Sequence, residues 1–394
     1  MVSPVISTLE RTVVRVRAFL HSRGGACRRN VTTGGNTPVK LLIQPEDGIA
    51  PLLTAIKKAK KNVDIVIFRF DRAELEAALQ NAAERGVSVS ALIAYANHGG
   101  EKSLRKLEMR LLEAGVTVSR TADDLARYHD KLLIIDRRLL FVLSFNFTHL
   151  DIDHSRGFGV VTKKAKLVQE ALKLLKADND RTPYAAGLDT FVVSPVNARK
   201  QLLALINRAK KELLVYDPKI ADAEMLRALS ERAKQGVDVR VIGTIGRHST
   251  RLKVRPLGGF RLHTRTIVCD RREAFVGSQS LRKAELDSRR EVGVIVRDSK
   301  VVTGVVNTFE ADWRAKQTAE TIKDTPHVLK EKLKDMVEKL SPLNPLVKEE
   351  VQEVVSKEGN TGLNKSDVKE TVEKAVKEAV RERVQEMLNE SAEQ

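Results

Sequence analysis

The chain has 394 residues, of which 42% are hydrophobic, and a formal net charge of +17 at pH 7. This length and apolar content suffice for a large buried core, and no run of residues approaches the roughly 20 apolar residues that a membrane-spanning helix requires. The two cysteines, Cys27 and Cys269, lie in separate regions and do not indicate a disulfide framework.

The first 39 residues form a basic segment with Gly and Thr residues around Gly34 and Gly35, and we predict that it is flexible. Residues 13–20 interrupt an apolar stretch with arginine, which is unlike a secretory signal peptide. A cytoplasmic location is therefore the default expectation.

One order of helix and strand patterns occurs twice along the chain. In the first copy the patterns predict a helix over 55–61, a strand over 63–68, a helix over 73–83 and a strand over 87–93. In the second copy they predict a helix over 204–211, a strand over 213–216, a helix over 223–234 and a strand over 237–242. Gly86 and Gly236 follow the second helix of each copy, where glycine commonly ends a helix. This alternation favours an α/β fold with a sheet rich in parallel strands.

A polar motif also occurs twice, each time on an apolar run typical of a buried strand. The first copy reads H-x-K-x4-D and comprises His129, Lys131 and Asp136, followed by Ser144 and Asn146. The second copy reads H-x-R-x4-D and comprises His263, Arg265 and Asp270, followed by Ser278 and Ser280. Two such motifs in register within a wider duplication form a strong signal.

The spacing of these residues indicates phosphodiester chemistry. Residues i and i+2 share one face of a strand, so His129 should lie beside Lys131, and His263 beside Arg265. One imidazole can attack phosphorus as a nucleophile, while the other protonates the leaving oxygen and later activates water or an alcohol. The cations can neutralise the phosphoryl oxygens, and such a site can work without a metal. No spacing resembles a zinc or haem site, so we expect no cofactor.

These motifs resemble the signature of the phospholipase D superfamily, H-x-K-x4-D followed by G-S-x-N. The resemblance extends to residues 156–161 and 290–295, which match the strand that closes each half in that family, and covers about residues 40 to 313. It implies two tandem α/β/α sandwich halves, 40–185 and 186–313, related by a pseudo-twofold axis with the site at their junction.

The sequence departs from the family signature at several positions. In the first copy Leu143 stands where the glycine of G-S-x-N would be, which puts close approach of the backbone to a ligand in doubt there. Arg265 replaces the second lysine and Ser280 the second asparagine, and both substitutions keep polar chemistry with altered geometry. The carboxylate that family members use to orient a catalytic histidine is present as Glu291, whereas Gly157 holds the matching position in the first half.

This asymmetry suggests separate roles for the two histidines. In the family the carboxylate can pair across the halves, so the resemblance implies Glu291 beside His129, with His129 as the nucleophile and His263 as the general acid. If Glu291 pairs within its own half, the roles reverse.

The remaining motif residues are expected to support the site. Asp136 and Asp270 lie seven residues beyond the histidines, so we predict that they hold the backbone at the strand ends. The other polar residues should donate to the phosphoryl oxygens or steady the motif loops; they are Ser144, Asn146, Ser278 and Ser280.

The charge is unevenly distributed along the chain. Residues 314–394 hold 15 basic and 17 acidic residues, so 54 basic and 35 acidic residues precede them. The excess of 19 positive charges on the body favours anionic phospholipid or nucleic acid as a partner. The 314–394 segment is rich in Lys and Glu at helical spacing, and it predicts a helical appendage for a partner or for self-association, or else a solvated helical tail.

Three functions are consistent with these observations. The leading one, by similarity to the cardiolipin synthases within the superfamily, is a phosphodiesterase that acts on phospholipid through a phosphohistidine, by hydrolysis or head-group transfer. Such an enzyme would be held peripherally at the inner membrane face by its basic surface and residues 13–20. The alternatives are a metal-independent nuclease and a catalytically degenerate protein that binds a polyanion.

Overall fold

The structure is a computed structural model that describes residues 39–95, 101–246 and 252–315. The predictions for the basic N-terminal segment up to residue 38 and for the tail beyond residue 315 lie outside the described residues.

The first half begins with β1 and ends with α5. Its strands are β1 (Val39–Gln44), β2 (Asn62–Ile67), β3 (Ser88–Ile93), β4 (Thr117–Arg120), β5 (Arg127–Tyr128), β6 (Leu132–Ile135), β7 (Leu139–Leu143) and β8 (Ser155–Thr162). Its helices are α1 (Ala50–Lys57), α2 (Ala73–Glu84), α3 (Glu101–Glu113), α4 (His149–Asp153) and α5 (Ala165–Asp180).

The second half repeats this order without a counterpart of α3 among the described residues. Its strands are β9 (Phe191–Ser194), β10 (Glu212–Ile220), β11 (Asp238–Ile245), β12 (Lys253–Arg255), β13 (Arg261–Leu262), β14 (Arg265–Cys269), β15 (Glu273–Gly277) and β16 (Arg289–Val296). Its helices are α6 (Ala198–Asn207), α7 (Ala223–Lys234), α8 (Lys283–Asp287) and α9 (Ser299–Arg314).

Each half forms one mixed sheet, and the two sheets have the same topology. The first sheet has the order β1-β8-β7-β6-β2-β3-β4, and the second has β9 beside β16 and continues through β15, β14, β10 and β11 to β12. The pairs β2–β3–β4 and β10–β11–β12 are parallel, and the others within these orders are antiparallel. The predicted α/β fold with two tandem halves is confirmed.

The two sheets share a core at the junction of the halves. One hydrophobic cluster contains residues of both sheets together with α5 and α9, whereas α1 to α3 and α6 to α8 cover the outer faces. Across the junction, the rings of Phe158 and Tyr216 meet edge to face at 5.5 Å, and Tyr216 meets Phe309 at 5.0 Å. Such ring pairs contribute about 1 kcal/mol each beyond the area that they bury.

Two helices end earlier than the sequence predicted, and the reason is the same in both halves. The bounds of α2 and α7 agree with the sequence patterns, but α1 ends at Lys57 and α6 at Asn207. The lysine-rich residues after each helix form a turn, because their backbone amides donate hydrogen bonds to the aspartates of the two motifs. Asp136 accepts hydrogen bonds of 2.6 to 3.1 Å from the amides of residues 60–62, and Asp270 accepts bonds of 2.7 to 3.2 Å from those of residues 210–212.

We expect Asp136→Asn to lower the free energy of unfolding by about 2 kcal/mol at pH 7, because bonds to an ionised acceptor are stronger than those to an amide. The three amides lower the pKa of Asp136 against the opposing effect of burial. The carboxylate therefore stabilises the fold above the unfolded pKa of about 3.9, and this contribution disappears as the pH falls through the lower folded pKa.

Urea unfolding at pH 7 and at acidic pH measures this difference. Asp270→Asn should behave alike, and Asp123→Asn, at an exposed position, serves as the control. A loss of stability that stays constant as the carboxylate protonates would contradict the prediction.

Candidate active site

Each motif histidine follows a two-residue strand that pairs with the closing strand of the other half. Strand β5 pairs with β16, and β13 pairs with β8. The backbone N–H of His129 donates to the carbonyl of Arg290 at 2.8 Å, and that of His263 donates to the carbonyl of Arg156 at 3.2 Å. This reciprocal exchange fixes both histidines at the junction, where the sequence placed the site.

The two histidines and the two motif cations form one buried group. His129 is 7% exposed, Lys131 1%, His263 4% and Arg265 7%. Burial lowers the pKa of both imidazoles well below the usual value, and Lys131 and Arg265 lower both further. Burial also lowers the pKa of Lys131 to about 7, opposed by Glu291 and assisted by Arg265. The motifs thus meet in a single site with a high density of positive charge.

The side chain of His129 is oriented by Glu291 from the other half. Its Nδ1 lies 3.0 Å and 2.9 Å from the two carboxylate oxygens of Glu291, and the ring of Phe68 meets the imidazole edge to face at 4.5 Å. Burial raises the pKa of Glu291 and lowers that of His129. When Glu291 is ionised, its carboxylate at Nδ1 favours the tautomer of His129 with the proton on that atom, which leaves Nε2 with its lone pair.

His263 has a different environment. The position equivalent to Glu291 is Gly157, and a Cβ atom there would lie 3.0 Å from the Phe145 ring, so this space is filled. The Nδ1 of His263 is buried without a hydrogen-bond partner. Its Nε2 lies 3.5 Å from Oδ2 of Asp151 on α4.

Asp151 was not among the residues predicted from the sequence. Its Oδ2 accepts hydrogen bonds of 2.7 Å from both the backbone and the side-chain amide of Asn146, and its Oδ1 accepts one of 2.7 Å from Arg261. Burial acts to raise the pKa of Asp151, but a protonated His263, Arg261 and the backbone amide of Asn146 together outweigh burial and lower that pKa. The duplication carried a signal for it, because Glu285 follows Ser280 at the same distance as Asp151 follows Asn146.

The serines of the motif loops bind protein groups. Oγ of Ser144 and of Ser278 each accept a hydrogen bond from an amide of the closing strand in the same half, at 2.9 Å and 3.1 Å. Ser280 donates to the buried carboxylate of Asp217 at 2.5 Å. These hydrogen bonds steady the motif loops.

Leu143, which replaces the first signature glycine, packs in the outer core of the first half. The space for its side chain comes from Gly159, where a Cβ atom would lie 2.7 Å from Leu143 Cδ2. The departure at this position is therefore accommodated within the core.

Among the described residues, no cluster of three or more His, Cys, Asp or Glu side chains is placed to hold a metal ion. The helices of the same residues include none that is both long and apolar enough to cross a membrane.

A family model described as "Cardiolipin synthase, PLD-like domain" matches residues 52–178 and 202–313, one segment in each half. The chain therefore belongs to this family of phospholipase D-like domains, and the resemblance noted in the motifs is confirmed.

Among its relatives, a cardiolipin synthase of Halalkalibacterium halodurans is 24% identical over 337 residues, which cover 70% of this chain and 66% of the relative. The chain thus spans about two thirds of that relative's length. A polyphosphate kinase from Porphyromonas gingivalis superposes with a TM-score of 0.60 at 19% identity, over 71% of this chain and 51% of the other. A phosphatidylserine synthase from Haemophilus influenzae Rd KW20 superposes with a TM-score of 0.54 at 11% identity, over 78% of this chain and 93% of the other. These two structures share the fold.

Proposed function

We propose that the protein is a phospholipase D-type phosphodiesterase that acts on phospholipid through a covalent phosphohistidine at His129. The observation that carries this proposal is the contact of His129 Nδ1 with both carboxylate oxygens of Glu291, since a proton held on Nδ1 leaves the Nε2 lone pair available for attack on phosphorus. A carboxylate in this position also stabilises the positive charge that the imidazole acquires on attack.

The first stage transfers the phosphoryl group to the enzyme. Nε2 of His129 attacks phosphorus, the P–N bond forms, and the P–O bond to the leaving alcohol breaks. The leaving oxygen takes the Nε2 proton of His263. Lys131 and Arg265 stabilise the charge on the other phosphoryl oxygens, which is the largest requirement of phosphoryl transfer.

The second stage regenerates the enzyme. Water or an alcohol gives its proton to Nε2 of His263 while its oxygen attacks phosphorus, and the P–N bond breaks. Water gives hydrolysis, and an alcohol such as the glycerol head group of a second lipid gives phosphatidyl transfer.

The family and the cardiolipin synthase relative support phospholipid as the substrate class. The positive excess over residues 1–313 is complementary to an anionic membrane surface. We propose peripheral association with the inner membrane face on this basis. A nuclease would use the same chemistry on nucleic acid, and the experiment below separates the two.

We expect the full chain to cleave phosphodiesters in EDTA and to turn over phosphatidylglycerol or cardiolipin in mixed vesicles. The panel should contain phosphatidylglycerol, cardiolipin, phosphatidylcholine and single-stranded DNA, each tested with wild type, His129→Ala and His263→Ala. Lipid turnover that both substitutions abolish supports the proposal.

Two results would overturn it. DNA cleavage that depends on both histidines, without lipid turnover, would establish the nuclease. Inactivity throughout the panel, with binding of anionic vesicles or DNA retained in both variants, would establish a degenerate polyanion-binding protein.

A further inference from the structure

The two halves carry an acidic residue at the same motif position, but only one of them reaches a histidine. Asp151 accepts the backbone N–H of Asn146, and Glu285 accepts that of Ser280, both at 2.7 Å. Asp151 also lies 3.5 Å from Nε2 of His263. The other carboxylate oxygen of Glu285 instead accepts a hydrogen bond from Arg289 at 3.4 Å and lies 3.8 Å from Arg282, both in its own half.

Three cations surround His263, and two of them lie on strands of the second half. Arg261 on β13, Arg265 on β14 and Lys131, directly before β6, all lower its pKa, and burial lowers it most. Asp151 on α4 opposes these effects. A general acid must carry its proton when the substrate arrives, and among the groups with the largest effects on His263 only Asp151 favours that proton.

We propose that Asp151 is a positioning residue that keeps the proton on Nε2 of His263 for delivery to the leaving oxygen. This inference rests on the proposed function, in which His263 is the general acid. It assigns to Asp151 the role that Glu291 has for His129, from a different position in the motif and at the other ring nitrogen. The position of Gly157 cannot supply a carboxylate because Phe145 fills the adjacent space.

The geometry around Nε2 of His263 suits transfer of its proton to the leaving oxygen. At 3.5 Å from Oδ2 of Asp151, Nε2 of His263 forms an ion pair when the imidazole is protonated, and the distance is too long for a strong hydrogen bond, so its N–H remains available to a substrate oxygen. Three hydrogen bonds from Asn146 and Arg261 fix the carboxylate and keep it ionised. During the first stage the proton passes from Nε2 to the leaving oxygen and His263 becomes neutral. In the second stage the proton of water or alcohol returns to Nε2.

The kinetic test compares two lipids that differ only in the leaving group, phosphatidyl-p-nitrophenol and phosphatidylglycerol. Because p-nitrophenolate leaves without protonation, we expect Asp151→Asn to lower kcat/KM for phosphatidylglycerol by about 10²- to 10³-fold and that for phosphatidyl-p-nitrophenol by less than about tenfold. The basic limb of the pH profile should also move to lower pH by about one unit. Glu285→Gln is the matched control, since it removes the equivalent carboxylate and should change both substrates by the same factor.

The second test does not require activity. NMR titration of the His263 imidazole in the full chain, assigned by its loss in His263→Gln, should give a lower pKa in Asp151→Asn than in wild type. Arg261→Gln removes a cation and should raise the pKa of His263, so the test stands even when Asp151→Asn does not fold.

The two tests separate the possible failures. Equal losses for both leaving groups, or an unchanged pKa of His263 in Asp151→Asn and Arg261→Gln, would overturn the role of Asp151. A wild-type enzyme that cleaves neither lipid would refute the proposed function, and the titration would still show whether Asp151 holds the proton.

Discussion

His263→Ala should accumulate a phosphoenzyme on His129. With bis(p-nitrophenyl) phosphate the leaving group needs no proton, so attack by His129 can proceed and release about one equivalent of p-nitrophenolate per enzyme. The second stage needs a base for water, and without His263 we expect turnover to fall by about 10²- to 10⁴-fold. Rapid quenching and peptide mass spectrometry should locate the adduct on His129.

The other histidine supplies the control. His129→Ala should show no burst and no adduct, with kcat/KM lower by about 10⁴-fold or more, because the covalent route is closed. An adduct isolated on His263 from wild type or His129→Ala would reverse the two roles. It would also indicate that Asp151 supports a nucleophile rather than a general acid.

Glu291→Gln should lower kcat by about 10³- to 10⁴-fold, with a much smaller change in KM. The amide is close in size to the carboxylate, but it cannot balance the positive charge of the attacked imidazole, and it permits the tautomer that carries the proton on Nε2. Steady-state kinetics at several pH values and the burst assay both measure the loss. The burst amplitude should persist while its rate falls.

Glu285→Gln again provides the comparison, because Glu285 is a buried carboxylate on the same half at 3% exposure. The ion pairs of Glu285 are with Arg282 and Arg289. An equal loss in both variants, or a Glu291→Gln enzyme with wild-type kcat, would argue against Glu291 as the partner of the nucleophile.

The sequence predicted the parts of the fold that depend on local pattern and on repetition. The bounds of α2 and α7 agree because both helices combine an apolar stripe with a following glycine in the left-handed region, Gly86 at φ +79° and Gly236 at φ +87°. The contact of His129 with Glu291 is the one that the resemblance to the phospholipase D superfamily implied, and no spacing within the sequence specifies it.

The sequence could not predict contacts between segments that are far apart along the chain. The ends of α1 and α6 are set by Asp136 and Asp270, which lie more than 50 residues away along the chain. Asp151 reaches His263 only because β13 pairs with β8. A single motif gives no indication of either contact, because both require the three-dimensional arrangement.

The reciprocal pairing of β5 with β16 and β13 with β8 has a consequence for how this protein can be divided. Each histidine depends on backbone and carboxylate groups of the opposite half, so neither half contains a complete site by itself. Two copies of the first half would place each His129 against a Gly157, with no carboxylate at Nδ1. Two copies of the second half would offer each His263 a Glu291. The halves are therefore not interchangeable, because the proposed nucleophile His129 of the first half needs the carboxylate of Glu291 from the second.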